Sequence, residues 1–221
     1  MKEYPVNLHR FDDTIAEMQT RENPQGKILL YGSSFFRNWT EAAQQMEQAS
    51  SGRYPVVNRG FGGATVDELL FFYRKLVVPC APKAVIFRIG PNDIFRGFNA
   101  KEAWAMAWRL MEFLRADYPG IKLIMLCVFD YPSAREEYRP LFAEFNALQK
   151  EYAAQTENVR YMDINSFFYE KETDIGSYSG FRDIFREDGL HLRPEIYEEF
   201  AAYLTKKLDE EAPDLADHLL P

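Results

Sequence analysis

Asp188-Gly189-Leu190-His191 holds a carboxylate and an imidazole three residues apart. On one turn the two can lie side by side, so that the carboxylate fixes the imidazole tautomer and stabilises the imidazolium formed during general-base work. Such a pair asks for a nucleophile. Gly32-Ser33-Ser34-Phe35 offers two hydroxyls at the end of an apolar run and just before a helix start. Ordinary capping of that helix by Ser33 or Ser34 is the competing use of these hydroxyls.

Two further stretches could serve the same chemistry. Asn58-Arg59-Gly60-Phe61-Gly62-Gly63-Ala64-Thr65 invites comparison with a dinucleotide loop, but a G-x-G-x-x-G pattern from Gly60 needs glycine where Thr65 stands. No suitable acidic residue follows at the expected distance either. What remains is a tight turn needing positive φ, or a backbone N–H free of a crowding side chain and open to an oxyanion. Gly90-Pro91-Asn92-Asp93, taken alone, is a turn. At a strand end beside the first strand, the Asn92 amide would donate to a developing oxyanion, a contact worth about 3 to 4 kcal/mol. His9 and His218 fall away from every strand end, and the three scattered histidines lack the spacing of a conventional zinc site.

These residues need a scaffold that brings strand ends together. Apolar runs at Lys27–Tyr31, Pro55–Asn58, Ala84–Ile89, Ile121–Phe129 and Val159–Ile164 predict strands. Several are apolar almost throughout, as in parallel strands covered on both faces. Thr65 with Glu68 forms a capping box ahead of Val66, Leu69, Leu70, Tyr73, Leu76 and Val77 at helical spacing. Asn99 with Glu102, and Ser133 with Glu136, predict helices running to about Tyr118 and Tyr152, and a final helix is expected from Pro194. A helix followed by five strand–helix units predicts an α/β fold: a doubly wound, five-stranded parallel sheet in a three-layer α/β/α domain spanning residues 1–221. A ligand would bind beyond the carboxyl ends of its strands. The longest irregular stretch runs from Asn165 to Glu187.

The 221 residues, 47% hydrophobic and 27% charged, describe an ordinary globular chain with a real core. A formal charge of -8 without a basic stripe argues against nucleic acid as partner. The start, Met1-Lys2-Glu3-Tyr4-Pro5, lacks a signal-peptide core, and no apolar run is long enough for a membrane span, so a cytoplasmic location is expected. Cys80 and Cys127 have neither zinc-ligand nor C-x-x-C spacing and read as reduced, packed thiols.

The four blocks, in this order, resemble the SGNH superfamily of GDSL-type hydrolases over about Lys27 to His191. The resemblance implies a serine esterase without metal or organic cofactor. It implies Ser34 as nucleophile, Asp188 and His191 as acid and base, and an oxyanion hole of the Ser34 and Gly63 backbone N–H groups with the Asn92 side chain. One departure is Ser33 where the namesake pattern has Asp, which leaves Ser33 as a rival nucleophile. The G-x-S-x-G elbow of the α/β-hydrolases is missing.

Relatives act on acetylated sugars, lysophospholipids, thioesters and simple esters, so the resemblance limits the reaction better than the substrate. Phe35, Phe95, Arg96, Phe129 and Tyr131 follow strand ends and are the expected pocket lining, suiting a small-molecule ester with a short acyl group on a small or carbohydrate-like alcohol. Phe167, Phe168, Tyr169, Tyr178, Phe181 and Phe185 crowd the long loop, where they serve either as a substrate wall or as core. Two rival readings keep the fold but change the function: a noncatalytic binding module, and a flavodoxin-like binder of phosphate or flavin.

Overall fold

The computed structural model describes residues 9–172 and 178–220, so the reading of Met1–Pro5 lies outside the described residues. Along the chain run α1 (Asp12–Gln19), β1 (Ile28–Gly32), α2 (Ser34–Arg37), α3 (Ala42–Ser50), β2 (Val56–Asn58), α4 (Val66–Leu76) and β3 (Ala84–Arg88). There follow α5 (Pro91–Phe95), α6 (Ala100–Asp117), β4 (Lys122–Leu126), α7 (Arg139–Gln155), β5 (Val159–Met162), β6 (Tyr169–Glu172), β7 (Tyr178–Phe181), α8 (Ile196–Glu211) and α9 (Leu215–Leu219).

The first five strands form one parallel sheet in the order β2-β1-β3-β4-β5. Every residue of β1 and β3 is buried, which is why these runs are apolar rather than alternating. The chain first winds to one side of β1 and then to the other, so the connections leaving β1 and β3 diverge and open a crevice at their carboxyl ends. The predicted α/β/α fold, with five parallel strands, is the observed one.

Both predicted capping boxes at Thr65–Glu68 and Asn99–Glu102 form, opening α4 and α6. The start expected at Ser133 is displaced. A 3-10 turn occupies Glu136–Tyr138 and α7 begins at Arg139, where Pro140 fits the first turn because no N–H is required of it. The Ser133 N–H is used elsewhere, donating to the Gly189 carbonyl at 3.1 Å. Similarly, the last main helix begins at Ile196, two residues after Pro194. The strand expected to reach Phe129 ends at Leu126. Beyond it the Val128 N–H and C=O are satisfied by the Asn146 side chain, at 2.8 and 2.7 Å, rather than by a neighbouring strand.

The stretch from Asn165 to Glu187 is not irregular throughout. It contains a 3-10 turn at Asn165–Phe167 and the antiparallel pair β6–β7, which is separate from the main sheet. Neither Tyr169-Glu170-Lys171-Glu172 nor Tyr178-Ser179-Gly180-Phe181 carries the apolar–polar alternation that marks a strand in sequence. Phe167, Phe168 and Phe185 are buried, and the Phe168 ring stacks on Phe129 with centroids 3.6 Å apart, so core packing is their use. The Tyr178 side chain lies outside the described residues. Cys80 and Cys127 are free and buried. Among the described residues no helix is long and apolar enough to cross a membrane.

Candidate active site

β1 delivers Ser34 to the sheet edge as the first residue of α2. Ser33 occupies the N-cap but makes no side-chain capping bond, so the capping use of these hydroxyls is not taken. Gly32, just before them, is forced: a Cβ there would run into the Arg88 carbonyl oxygen on the adjacent β3. Absence of that Cβ lets the two strands that frame the crevice approach closely. β3 in turn delivers Gly90-Pro91-Asn92, with Asn92 in the first turn of α5.

His191 reaches the same crevice from the segment after β7. Its turn is tied back by an Arg186 N–H bond to the His191 carbonyl at 2.7 Å and an isolated antiparallel bridge between Phe185 and Leu192. Gly189 adopts φ +62°, a left-handed conformation that bends the chain back on itself within the tetrapeptide. Asp188 therefore accepts three donations: from the Leu190 and His191 N–H groups at 2.9 Å each, and from His191 Nδ1 at 2.7 Å. Partial desolvation pulls the Asp188 carboxyl upward, but the bonds from His191 and Leu190 outweigh it and hold the group at about 2. With Nδ1–H given to Asp188, Nε2 is the ring nitrogen left to accept a proton.

Ser34, Asn92 and His191 line one pocket of about 40 Å³, together with Phe35, Phe95 and Tyr131. Gly63 adopts φ +76°, as a tight turn requires, and stands beside this pocket rather than among its lining residues. Asn92 Nδ2 donates to the neighbouring Ala64 carbonyl at 2.9 Å, which links the Gly63 loop to the pocket. The loop is held from behind as well. Arg10 donates to the Gly63 carbonyl at 2.8 Å and pairs with Glu68, and buried Asp93 accepts from the Val66 N–H at 3.1 Å.

Arg96 departs from the expected lining. It follows the last residue of α5, is exposed, and lies outside the pocket. Conversely, Arg88, Tyr197 and Leu192 line the pocket although none stood out as a site residue. Tyr197, on α8, donates to the Phe35 carbonyl at 2.8 Å and stacks on Trp39, so its position in an amphipathic helix reads as core. Arg88 did leave a signal, because it is the one charged residue of an otherwise apolar strand.

A model of the GDSL-like Lipase/Acylhydrolase family matches residues 23–199. No curated protein matches the chain by sequence. Among solved structures, a Streptococcus pneumonia protein assigned as a platelet activating factor is 20% identical, with a TM-score of 0.67 over 92% of this chain and 91% of its own. A Bacteroides fragilis NCTC 9343 protein assigned to the acylhydrolases is 21% identical, with a TM-score of 0.65 over 94% of this chain and 99% of its own. The acetyl xylan esterase AlAXEase is 15% identical, with a TM-score of 0.61 over 83% and 98%. At such identities the structural likeness speaks for the fold, whereas the family match spans most of the chain. By that match, this chain belongs to the GDSL-like lipase/acylhydrolase family.

Proposed function

We propose that residues 1–221 act as one hydrolase domain that cleaves carboxylic esters through an acyl-enzyme on Ser34, with short acyl groups on a small or carbohydrate-like alcohol. The observation that carries this reading is the meeting of Ser34, Asn92 and His191 in one small pocket, with His191 Nδ1 held by Asp188 at 2.7 Å. The pocket volume of about 40 Å³ favours a short acyl group. The acetyl xylan esterase among the structural neighbours supports the same substrate class. A cytoplasmic setting belongs to the proposal, supported by two free, buried cysteines, and cell fractionation checks it.

In this mechanism His191 Nε2 takes the Ser34 hydroxyl proton as Oγ attacks the ester carbonyl. The tetrahedral oxyanion accepts from the Ser34 and Gly63 N–H groups and from Asn92 Nδ2, whose second hydrogen is not needed for Ala64. Collapse breaks the ester C–O bond, and His191 returns the proton to the departing alcohol. Water then attacks the acyl-enzyme, giving its proton to His191, and the carboxylic acid leaves as Ser34 is reprotonated. Asp188 remains ionised and steadies the imidazolium in both halves.

The test is a series of p-nitrophenyl acyl esters and acetylated sugars on wild type and Ser34→Ala. Turnover is expected to favour short acyl groups and to vanish with Ser34. Undiminished turnover in Ser34→Ala, with loss in Ser33→Ala, would move the nucleophile to Ser33.

A further inference from the structure

Arg88 closes β3 with only 5% of its surface exposed. Its guanidinium lies over the Phe129 ring, 4.5 Å from the centroid, and Phe129 rests on Phe168 in turn. This stack holds the group in place but does not neutralise it. Nε is buried without an acceptor, and the polar side chains around the guanidinium are those of Cys127, Tyr131 and Tyr197, with no carboxylate paired to it among the described residues. Burial lowers the Arg88 pKa to about 10, which still leaves a full positive charge at neutral pH.

Taking an unpaired ion out of water is costly, and a cation–π contact offsets only part of that cost. The other buried guanidinium shows what a structural role provides: Arg59 donates to the Asn58 and Glu22 carbonyls and to Asn23 Oδ1, whereas Arg88 has no such acceptors among the described residues. Arg88 instead lines the same pocket as Ser34 and His191. Its Cα pairs with that of Gly32, two residues before Ser34, so the charge belongs to the base of the pocket where β1 and β3 run side by side. The alcohol of an ester leaves after the first half-reaction, whereas the acyl group stays bound to Ser34 through both, so a fixed cation in the pocket that Ser34 shares faces the acyl group for longer. A planar guanidinium matches a carboxylate with two parallel hydrogen bonds, and a carboxylate is compact enough for a small cavity.

We propose that Arg88 binds a carboxylate at the far end of the acyl group, making hemiesters of short dicarboxylic acids, such as malonyl and succinyl esters, the substrates of this site. This rests on the reading of Ser34 as an esterase nucleophile and narrows it. Neutral acyl groups of the same length leave the guanidinium with no partner, so the site discriminates against them.

Binding separates the two ideas. Malonate and succinate are titrated calorimetrically into Ser34→Ala protein, with propionate and butyrate as neutral-tailed controls, and the series is repeated with Arg88→Met and Arg88→Lys added. The diacids are expected to bind at least about tenfold more tightly than the monoacids, with the gap closed by methionine and partly kept by lysine. Methionine at a buried charge is tolerated in many proteins, and circular dichroism verifies the fold. Diacids that bind no better than monoacids, or a gap that survives Arg88→Met, overturn the proposal. Tighter binding of glycerol phosphate than of succinate overturns the placement on the acyl side. With Ser34 restored, monoethyl succinate is expected to exceed ethyl butyrate in kcat/KM, and Arg88→Met to lower that ratio at least about tenfold. Diacid binding without Ser34-dependent turnover of either ester upholds the anion site and overturns the esterase reading.

Discussion

The Asn92 amide donates to the Ala64 carbonyl at 2.9 Å, joining the end of β3 to the loop that follows β2. Arg10 grips that loop from the N-terminal segment through the Gly63 carbonyl and Glu68, and Asp93 holds the first N–H of α4. Two distant parts of the chain, the N-terminal segment and the first turn of α5, thus set the position of one glycine, and with it an N–H proposed to meet the oxyanion.

Arg10 touches the loop rather than the pocket, so its removal should disturb the transition state more than substrate binding. Arg10→Met is expected to lower kcat about tenfold with little change in KM, since small misplacements of a donor cost rate. Arg10→Lys should recover part of the loss. Steady-state kinetics decide, and a rise in KM at constant kcat would contradict a positioning role.

Asp188→Asn keeps the shape of the turn but not the charge behind the imidazole, and kcat is expected to fall about 10³- to 10⁴-fold. The carboxyl sits at about 2, down from its ordinary 3.8, so it stays ionised across the working range. A depressed carboxyl stabilises the fold above its unfolded value, and that contribution is lost only as pH falls through about 2. The wild-type pH–rate profile should therefore show no ionisation of Asp188 across the working range. An acid-side ionisation within that range that Asp188→Asn removes would contradict this assignment.

Asp93 behaves in the opposite sense. Burial raises its carboxyl from 3.8 to about 7, with Asp67 and Glu68 adding to the effect and the Val66 N–H opposing it. The folded chain holds this proton more tightly than the unfolded one. Stability from this group is therefore full below 3.8 and is lost as pH rises through about 7. Urea midpoints should show wild type losing about 2 to 3 kcal/mol between about pH 5 and about pH 8, a loss that Asp93→Asn should largely abolish. Equal losses in both proteins would show that Asp93 does not carry the dependence.

Gly32→Ala places a methyl group against the backbone of β3, where nothing flexible can give way. Overpacking of this kind costs about 1 to 3 kcal/mol. Denaturant unfolding should register that loss, and activity should fall as well, because the forced separation of β1 from β3 moves Ser34 relative to Asn92. A variant as stable and active as wild type would show that the sheet relaxes freely there.

The sequence by itself determined the five strands of the main sheet, most of the helices between them and the short-range chemistry. Buried parallel strands are written as continuous apolar runs, capping boxes as Thr65 with Glu68 and Asn99 with Glu102, and the Asp188–His191 pair as two residues on one turn. Each depends on neighbours a few positions apart, so spacing alone expresses it. The order of the strand-end motifs was equally legible, because a doubly wound sheet gathers strand ends at one edge whatever its loops do. Where Pro140 delayed a helix and Asn146 replaced a ladder partner, the local signal competed with contacts it does not contain. Only the tertiary structure decided that Arg96 turns away while Arg88 faces the pocket, that Phe167, Phe168 and Phe185 are core, and that Arg10 and Asp93 brace the Gly63 loop. The reason is physical: burial, desolvation and the pairing of charges are properties of surfaces brought together by the whole fold, and residues such as Arg10 and Glu68, 58 positions apart, become neighbours only when it closes.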